Sequence, residues 1–198
     1  MPAPRRTQAE RTEATTTALL AAARALFVEH GYEATSLDAV AAAAGMTKGA
    51  VYHHFDGKRR LFEAVLTQEV QRMTGPLLEA YRRKKDPWEA FGSACRAFLG
   101  ECLDPGVQRI VLRDGFTALG WEEVRRLEQP LLELMEQAIT RAVDAGRIAR
   151  RPAAPLAHFL FGALCEAAMT VARADDPDSA HRQAVSELRR VLDGLVIG

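Results

Sequence analysis

Cysteine is scarce in this chain, with only Cys95, Cys102 and Cys165 among 198 residues. An odd number without paired spacing argues against a disulfide framework or a thiolate metal site. On one helix Cys95 and Cys102 would lie about 10 Å apart, beyond disulfide reach, so buried small hydrophobes are the expected reading. Net charge is also absent, 26 basic residues facing 26 acidic ones, and the chain as a whole therefore does not advertise a polyanionic partner. No stretch approaches the ~18 uninterrupted apolar residues of a membrane span, and the opening MPAPRRTQAER lacks a signal-peptide core. No membrane association and a cytoplasmic location are expected. A phosphate-cradling glycine loop, a G-x-S-x-G elbow and an H-E-x-x-H pair are all missing. The five histidines, His30, His53, His54, His158 and His181, fall at no ligand spacing with carboxylates. Neither a catalytic residue nor a metal or cofactor is expected.

What the chain has is helical periodicity throughout, and its 48% apolar content suffices for a substantial core. The predicted fold class is all-α. The most informative stretch is GYEATSLDAVAAAAGMTKGAVYHHFDGK, Gly31 to Lys58. Ser36 is suited to cap a short helix with Leu37, Val40, Ala41 and Ala44 inward, and Gly45 to stop it. Thr47 is suited to cap a second helix with Val51 and Phe55 inward, leaving Lys48, Gly49, Tyr52 and His53 outward. Ala41, Gly45 and Val51 stand where a helix-turn-helix needs a small residue, a glycine and a branched aliphatic residue. No acidic residue separates Asp38 from Asp56, so a polyanion could approach this face. A helical hairpin packed inside an all-α domain is the plainer alternative.

Within this stretch, Gly31-Tyr32, Ala34-Thr35-Ser36-Leu37, Ala44 to Phe55, Lys58 and Leu61-Phe62 resemble the N-terminal domain of the TetR family of bacterial transcriptional regulators. The likeness covers about the first quarter to third of the chain; the remainder resembles the family only in length and helical character. It implies a three-helix head at 1–60 (arm 1–11, supporting helix 12–30, helix-turn-helix 36–55) and a helical effector-binding and dimerisation domain at 61–198. It implies DNA contact by Thr35, Ser36, Thr47, Lys48, Gly49, Tyr52, His53, His54 and Lys58. Lys48 would read a base edge; Ser36, Tyr52 and Lys58 would hold phosphates; His54 could equally be a packing residue. Arg5, Arg6 and Arg11 would form either a DNA-touching arm or a solvated tail.

Further along, Lys58 is expected in the first turn of a helix capped by Asp56 and broken at Thr74-Gly75-Pro76. Asp86-Pro87 should open a helix to about Leu103. Val107 to Leu119 reads as helix broken by Gly115 and Gly120, and Trp121 to Ala145 as helix kinked or restarted at Pro130. A loop should fill Arg147 to Pro155, followed by an apolar helix and, after Asp176-Pro177, a final amphipathic one. Phe98, Phe116, Trp121, Met135, His158, Phe159 and Glu166 are candidates for a small-molecule pocket, although most such apolar residues are core and polar groups such as His158 and Glu166 are more commonly satisfied core or interface groups. Phe161, Leu164, Ala168, Val185, Leu188, Leu192 and Leu195 are candidates for a homodimer interface. The expected partners are a double-stranded DNA operator, a second copy of the chain and a small-molecule effector. A regulator without an effector, or an all-α enzyme, would be the rival readings.

Overall fold

Residues 7–197 are described by a computed structural model. Arg5 and Arg6, proposed for the arm, lie outside them, and so does the side chain of Arg11. Thr7 opens α1 (Gln8–Ala34) with a reciprocal capping box, its hydroxyl accepting from the Glu10 N–H while Glu10 accepts from the Thr7 N–H. The helix therefore starts earlier than the apolar pattern at 12–30 suggested. Gly31, at φ 82°, interrupts it as expected, but residues 32–34 form one more turn. Helices α2 (Leu37–Ala43) and α3 (Lys48–His54) follow, capped by the Ser36 and Thr47 hydroxyls as predicted.

The long α4 (Gly57–Arg82) departs from the sequence reading twice. Asp56 holds the N-cap position without a side-chain cap hydrogen bond. The helix also runs straight through Thr74-Gly75-Pro76. Pro76 is exposed, while Met73 and Leu77 on the flanking turn are buried and hold the helix against its neighbours across the proline. Pro130, likewise exposed, sits inside the single helix α7 (Trp121–Asp144) for the same reason. Tertiary burial outweighs the local cost of about 3 kcal/mol that an interior proline carries.

Asp86 caps α5 (Pro87–Glu101) by accepting from the Trp88 and Glu89 N–H groups. A π-helical segment (Val107–Asp114) then leads without a break into α6 (Gly115–Leu119). Gly115 is not the breaker its type suggested. A Cβ there would stand 3.1 Å from Leu66 Cδ1, so the glycine admits α4 at close range. Gly120, at φ 82°, does end α6. Helix α8 (Ala153–Arg173) starts two residues before Pro155, and α9 (Pro177–Asp193) is capped by Asp176. Among the described residues the only strand-like pairing is a single antiparallel bridge between Ile148 and Val196.

Two hydrophobic cores result. Leu19, Phe27, Val40, Val51, Leu61, Phe62 and Leu66 form one, closed by Ile110, Leu119 and Val124 from the π segment, α6 and α7. Met73, Leu77, Trp88, Phe91, Phe98, Ile139, Leu160, Phe161 and Leu164 belong to the other. Helix α4 enters both, and between its two contributions lies Glu69, a carboxylate only 2% exposed. Arg24 of α1 donates to it through Nε at 2.7 Å, and Arg72 through Nη2 at 3.0 Å. Both arginines also reach Asp104, at 3.4 and 3.3 Å, and Asp104 accepts from the Gly106 and Val107 N–H groups. The Glu69 hydrogen bond is the main cause that raises the Arg24 pKa.

Cys95, Cys102 and Cys165 are free thiols belonging to or packed against the second core, and burial pushes each up to about 12. Glu69→Ala removes the buried carboxylate shared by two arginines at the junction of the cores and leaves them the longer contacts to Asp104. Because Arg24 and Arg72 side chains keep 38% and 43% exposure, the expected loss is about 1–3 kcal/mol, below the ~3–5 of a fully buried pair. Urea unfolding should show it, and an unchanged midpoint would contradict this role for Glu69.

Candidate nucleic-acid interface

The turn between α2 and α3 is built from backbone chemistry. Ala44, Gly45 and Met46 donate to the Val40, Ala42 and Ala41 carbonyls at 2.9, 3.1 and 2.9 Å, closing α2 with Gly45 in the left-handed region at φ 67°. Val51 is fully buried and pins α3 beneath α2. The outward face of α3 then carries Lys48, Gly49, Tyr52 and His53, all exposed, with Tyr52 53% accessible. Thr47 and Ser36 flank it, both exposed, each with its hydroxyl oxygen accepting an N-terminal N–H (Ala50 N at 3.3 Å, Ala39 N at 3.1 Å).

Gly49 is the most telling residue of this face. Inside a helix a glycine costs about 1 kcal/mol relative to alanine. A Cβ at Gly49 would meet nothing within 4 Å, so no neighbour in the fold accounts for it. Lys48 pairs with Asp38 across the turn at 2.9 Å, and the Asp38 hydrogen bond, then its charge, raises the lysine pKa. Its Nζ also stands 5.9 Å from the Tyr52 ring centroid.

Three residues expected to contact DNA are otherwise engaged. Thr35 is 3% exposed, and its hydroxyl donates to Gly31 O at 2.8 Å and Leu26 O at 3.2 Å, so it seals the end of α1 rather than facing a phosphate. The Lys58 ammonium donates to Tyr32 O and Glu33 O at 2.9 and 3.1 Å and lies 4.4 Å from the Tyr32 ring centroid. It is a clip between α4 and the last turn of α1. His54 Nδ1 lies 3.1 Å from Thr16 Oγ1, within hydrogen-bond distance of α1; this is the packing alternative for His54.

The other end of the molecule also sorts itself. A cavity of about 300 Å³ opens among α4, α5, α7 and α8. Of the predicted pocket residues, Phe98 and Met135 line it. Phe116 and Trp121 stack on each other at 5.3 Å away from it, with Trp121 62% exposed beneath the Arg125 guanidinium. His158, Phe159 and Glu166 are exposed on the outer side of α8, Phe159 by 70%. Conversely Phe161, Leu164, Ala168 and Leu192, predicted at a subunit interface, are buried within this chain, and Phe161 and Leu164 line the cavity. Val185, Leu188 and Leu195 are half-buried. A helix apolar on nearly every side, as α8 is, has no phase by which sequence could separate its two faces. Helix α8 is also the one described helix long and apolar enough, at mean hydropathy 1.4, to cross a membrane; it packs on α5, α7, α9 and the π segment.

Residues 19–65 match the family described as "Bacterial regulatory proteins, tetR family", and residues 88–195 match "Tetracyclin repressor-like, C-terminal domain". The crystal structure of a TetR-family transcriptional regulator from Pectobacterium atrosepticum is 37% identical, superposes with a TM-score of 0.84, and matches across 98% of this chain and 99% of that one. The transposon Tn10 TetC protein of Escherichia coli is 32% identical over 124 residues, 61% of this chain and 60% of that protein. The transcriptional repressor AcnR of Corynebacterium efficiens is 38% identical over 61 residues, 31% of this chain and 32% of that protein. The chain thus spans less than two thirds of the length of these two curated relatives.

Gly49→Ala separates folding from recognition: stability should hold or rise by up to about 1 kcal/mol while DNA affinity falls, read by urea unfolding and fluorescence anisotropy. Loss of both together would show that the glycine serves the fold. Asp38→Asn frees Lys48 and removes an anion from the face, so non-specific DNA binding should tighten, whereas Lys48→Ala should weaken it; like responses to the two substitutions would sink the assignment.

Proposed function

The chain belongs to the TetR family of bacterial regulatory proteins, and from that premise we propose a homodimeric, ligand-responsive transcriptional repressor acting in the cytoplasm on a near-palindromic operator. The observation that carries the DNA-reading part is the outward face of α3, where Gly49 has no neighbour in the fold and Lys48, Tyr52 and His53 stand around it. Lys48 would exchange Asp38 for a base edge, and Ser36, Thr47 and Tyr52 would hold phosphates. The head would comprise residues 1–60 and the body 61–198, with α4 belonging mechanically to both.

One seven-residue recognition helix spans too few base pairs to define a site, so a pair is needed. An outward apolar stripe supports self-association. Its exposed members are Phe159 and Ala163 on α8 and Val191 on α9, flanked by Leu156, Ala167, Ala184 and Leu188, which are half-buried against the chain's own second core. Two such hairpins would close a symmetric four-helix bundle. The effector would occupy the cavity walled by Leu77 and Leu78 of α4, the same helix whose first turn Lys58 clips to α1. A ligand preferring one position of α4 would shift the spacing of the heads, and DNA would weaken that ligand reciprocally.

Selection of bound sequences from a random DNA pool tests this reading. It should yield a two-fold-symmetric consensus with half-sites about 34 to 36 Å apart, and a reporter placed behind that site should be repressed. An asymmetric consensus, or none, would refute the symmetric reader; activation of the reporter would refute the repressor.

A further inference from the structure

The effector cavity is apolar in its depth and cationic at its mouth. Phe91, Phe98, Leu134, Met135, Phe161 and Leu164 supply its walls, and no acidic side chain lines it. Arg82, in the last turn of α4, and Arg141, in the last turn of α7, also line it, and both are exposed. Their neighbours on the same helices are engaged. Arg59 donates to Leu119 O, Arg60 to Glu63, Arg72 to Glu69, Arg125 to Glu128 and Arg126 to Glu63. Among the described residues Arg82 and Arg141 are the arginines of α4 and α7 without a hydrogen-bond or ion-pair partner. The Tyr81 hydroxyl and the Gln137 amide, at the same mouth, are equally unengaged.

This arrangement is not accounted for by the helix ends. A helix C-terminus stabilises a nearby cation but repels an anion, so two converging C-termini would by themselves turn an anionic ligand away. The two guanidiniums reverse that local field, and their forked N–H groups fit a carboxylate. The walls offer an apolar body no polar partner, so burial drives its entry while the headgroup stays at the rim.

Resting on the effector reading above, we propose that the ligand is an amphipathic monocarboxylate, its acyl or aryl body among Phe91, Phe98, Leu134 and Met135 and its carboxylate between Arg82 and Arg141. Tyr81 and Gln137 donate the remaining hydrogen bonds to the headgroup. Affinity then falls with rising ionic strength, because the charged end lies at the solvent-exposed mouth.

Titration calorimetry with three probes of equal chain length, decanoate, 1-decanol and decyltrimethylammonium, tests the charge preference on the full-length protein. Decanoate should bind about tenfold or more tighter than decanol, the ammonium should bind weakest, and Arg82→Gln/Arg141→Gln should bring decanoate down to the level of decanol. Decanoate should also lower affinity for the selected operator. If decanol or the ammonium equals decanoate on the unaltered protein, or if the double variant keeps the preference, the carboxylate inference is overturned and the effector cavity stands. If none of the three binds, or decanoate binds equally well after Ala94→Trp fills the cavity, the effector reading itself falls. The arginines are exposed, so their replacement leaves the core intact; superimposable urea curves should confirm that the variant is folded.

Discussion

The carboxylate of Glu69 sits where two hydrophobic cores meet on one helix, and the mechanical unity of the molecule depends on how that charge is satisfied. Buried and held by Arg24 from α1 and Arg72 from its own helix, it ties the DNA-reading head to α4 at a point that apolar packing alone would leave free to slide. Directional, charge-assisted hydrogen bonds fix a register where interdigitated side chains permit several. Asp104, shared by the same two arginines and capping the entrance to the π segment, extends the tie into the body.

A second tie runs in parallel. Asp114, the last residue of the π segment, accepts from the Tyr32 N–H at 2.7 Å, and Arg109 of the same segment reaches His30 O at 3.2 Å, clamping the turn around Gly31. Gly31 lies under that arginine, where a Cβ would overlap it, and its φ of 82° is unfavourable for other residues. Val111 and Leu112 of the π segment line a second, smaller recess beside Met73 and Phe98. The head is thus joined to the rest of the molecule twice, through α4 and through the π segment. A π-helical stretch is an uncommon element, often found where function displaces backbone regularity.

Local chemistry was legible in the sequence, and long-range chemistry was not. Ser36, Thr47 and Asp86 cap their helices as read, because a cap is decided within three residues of itself; Asp56 takes the N-cap position but makes no cap hydrogen bond. The family resemblance likewise rested on contiguous residues of the head. The Glu69 cluster escaped because Arg24 lies 45 positions away in the chain and Asp104, which shares its arginines, lies beyond α5; only Arg72, three residues on, was close in sequence. One signal was present: Glu69 is an isolated acid on the apolar stripe of Phe62, Val65, Leu66, Met73 and Leu77. Thr35 and Lys58 are of types that suit a phosphate contact, but the carbonyls that engage them belong to the end of α1, which local sequence does not place beside them. On α8 the interface candidates Phe161, Leu164 and Ala168 face inward, since nothing in an all-apolar pattern reports which side a neighbour covers; on α9 Leu192 is buried while Val185 and Leu188 are half-buried.

The central claim is that one helix, α4, makes the state of the cavity and the spacing of the two heads a single variable. Glu29→Cys gives an exposed labelling site on the head, while the three native thiols, raised to about 12 by burial, resist labelling near neutral pH. The most direct measurement is the spin-label distance between the two heads of the proposed dimer, with Ala94→Trp filling the cavity in place of any ligand. A shifted head-to-head distance together with weakened operator binding is the predicted result. An unchanged distance with unchanged binding would contradict the claim.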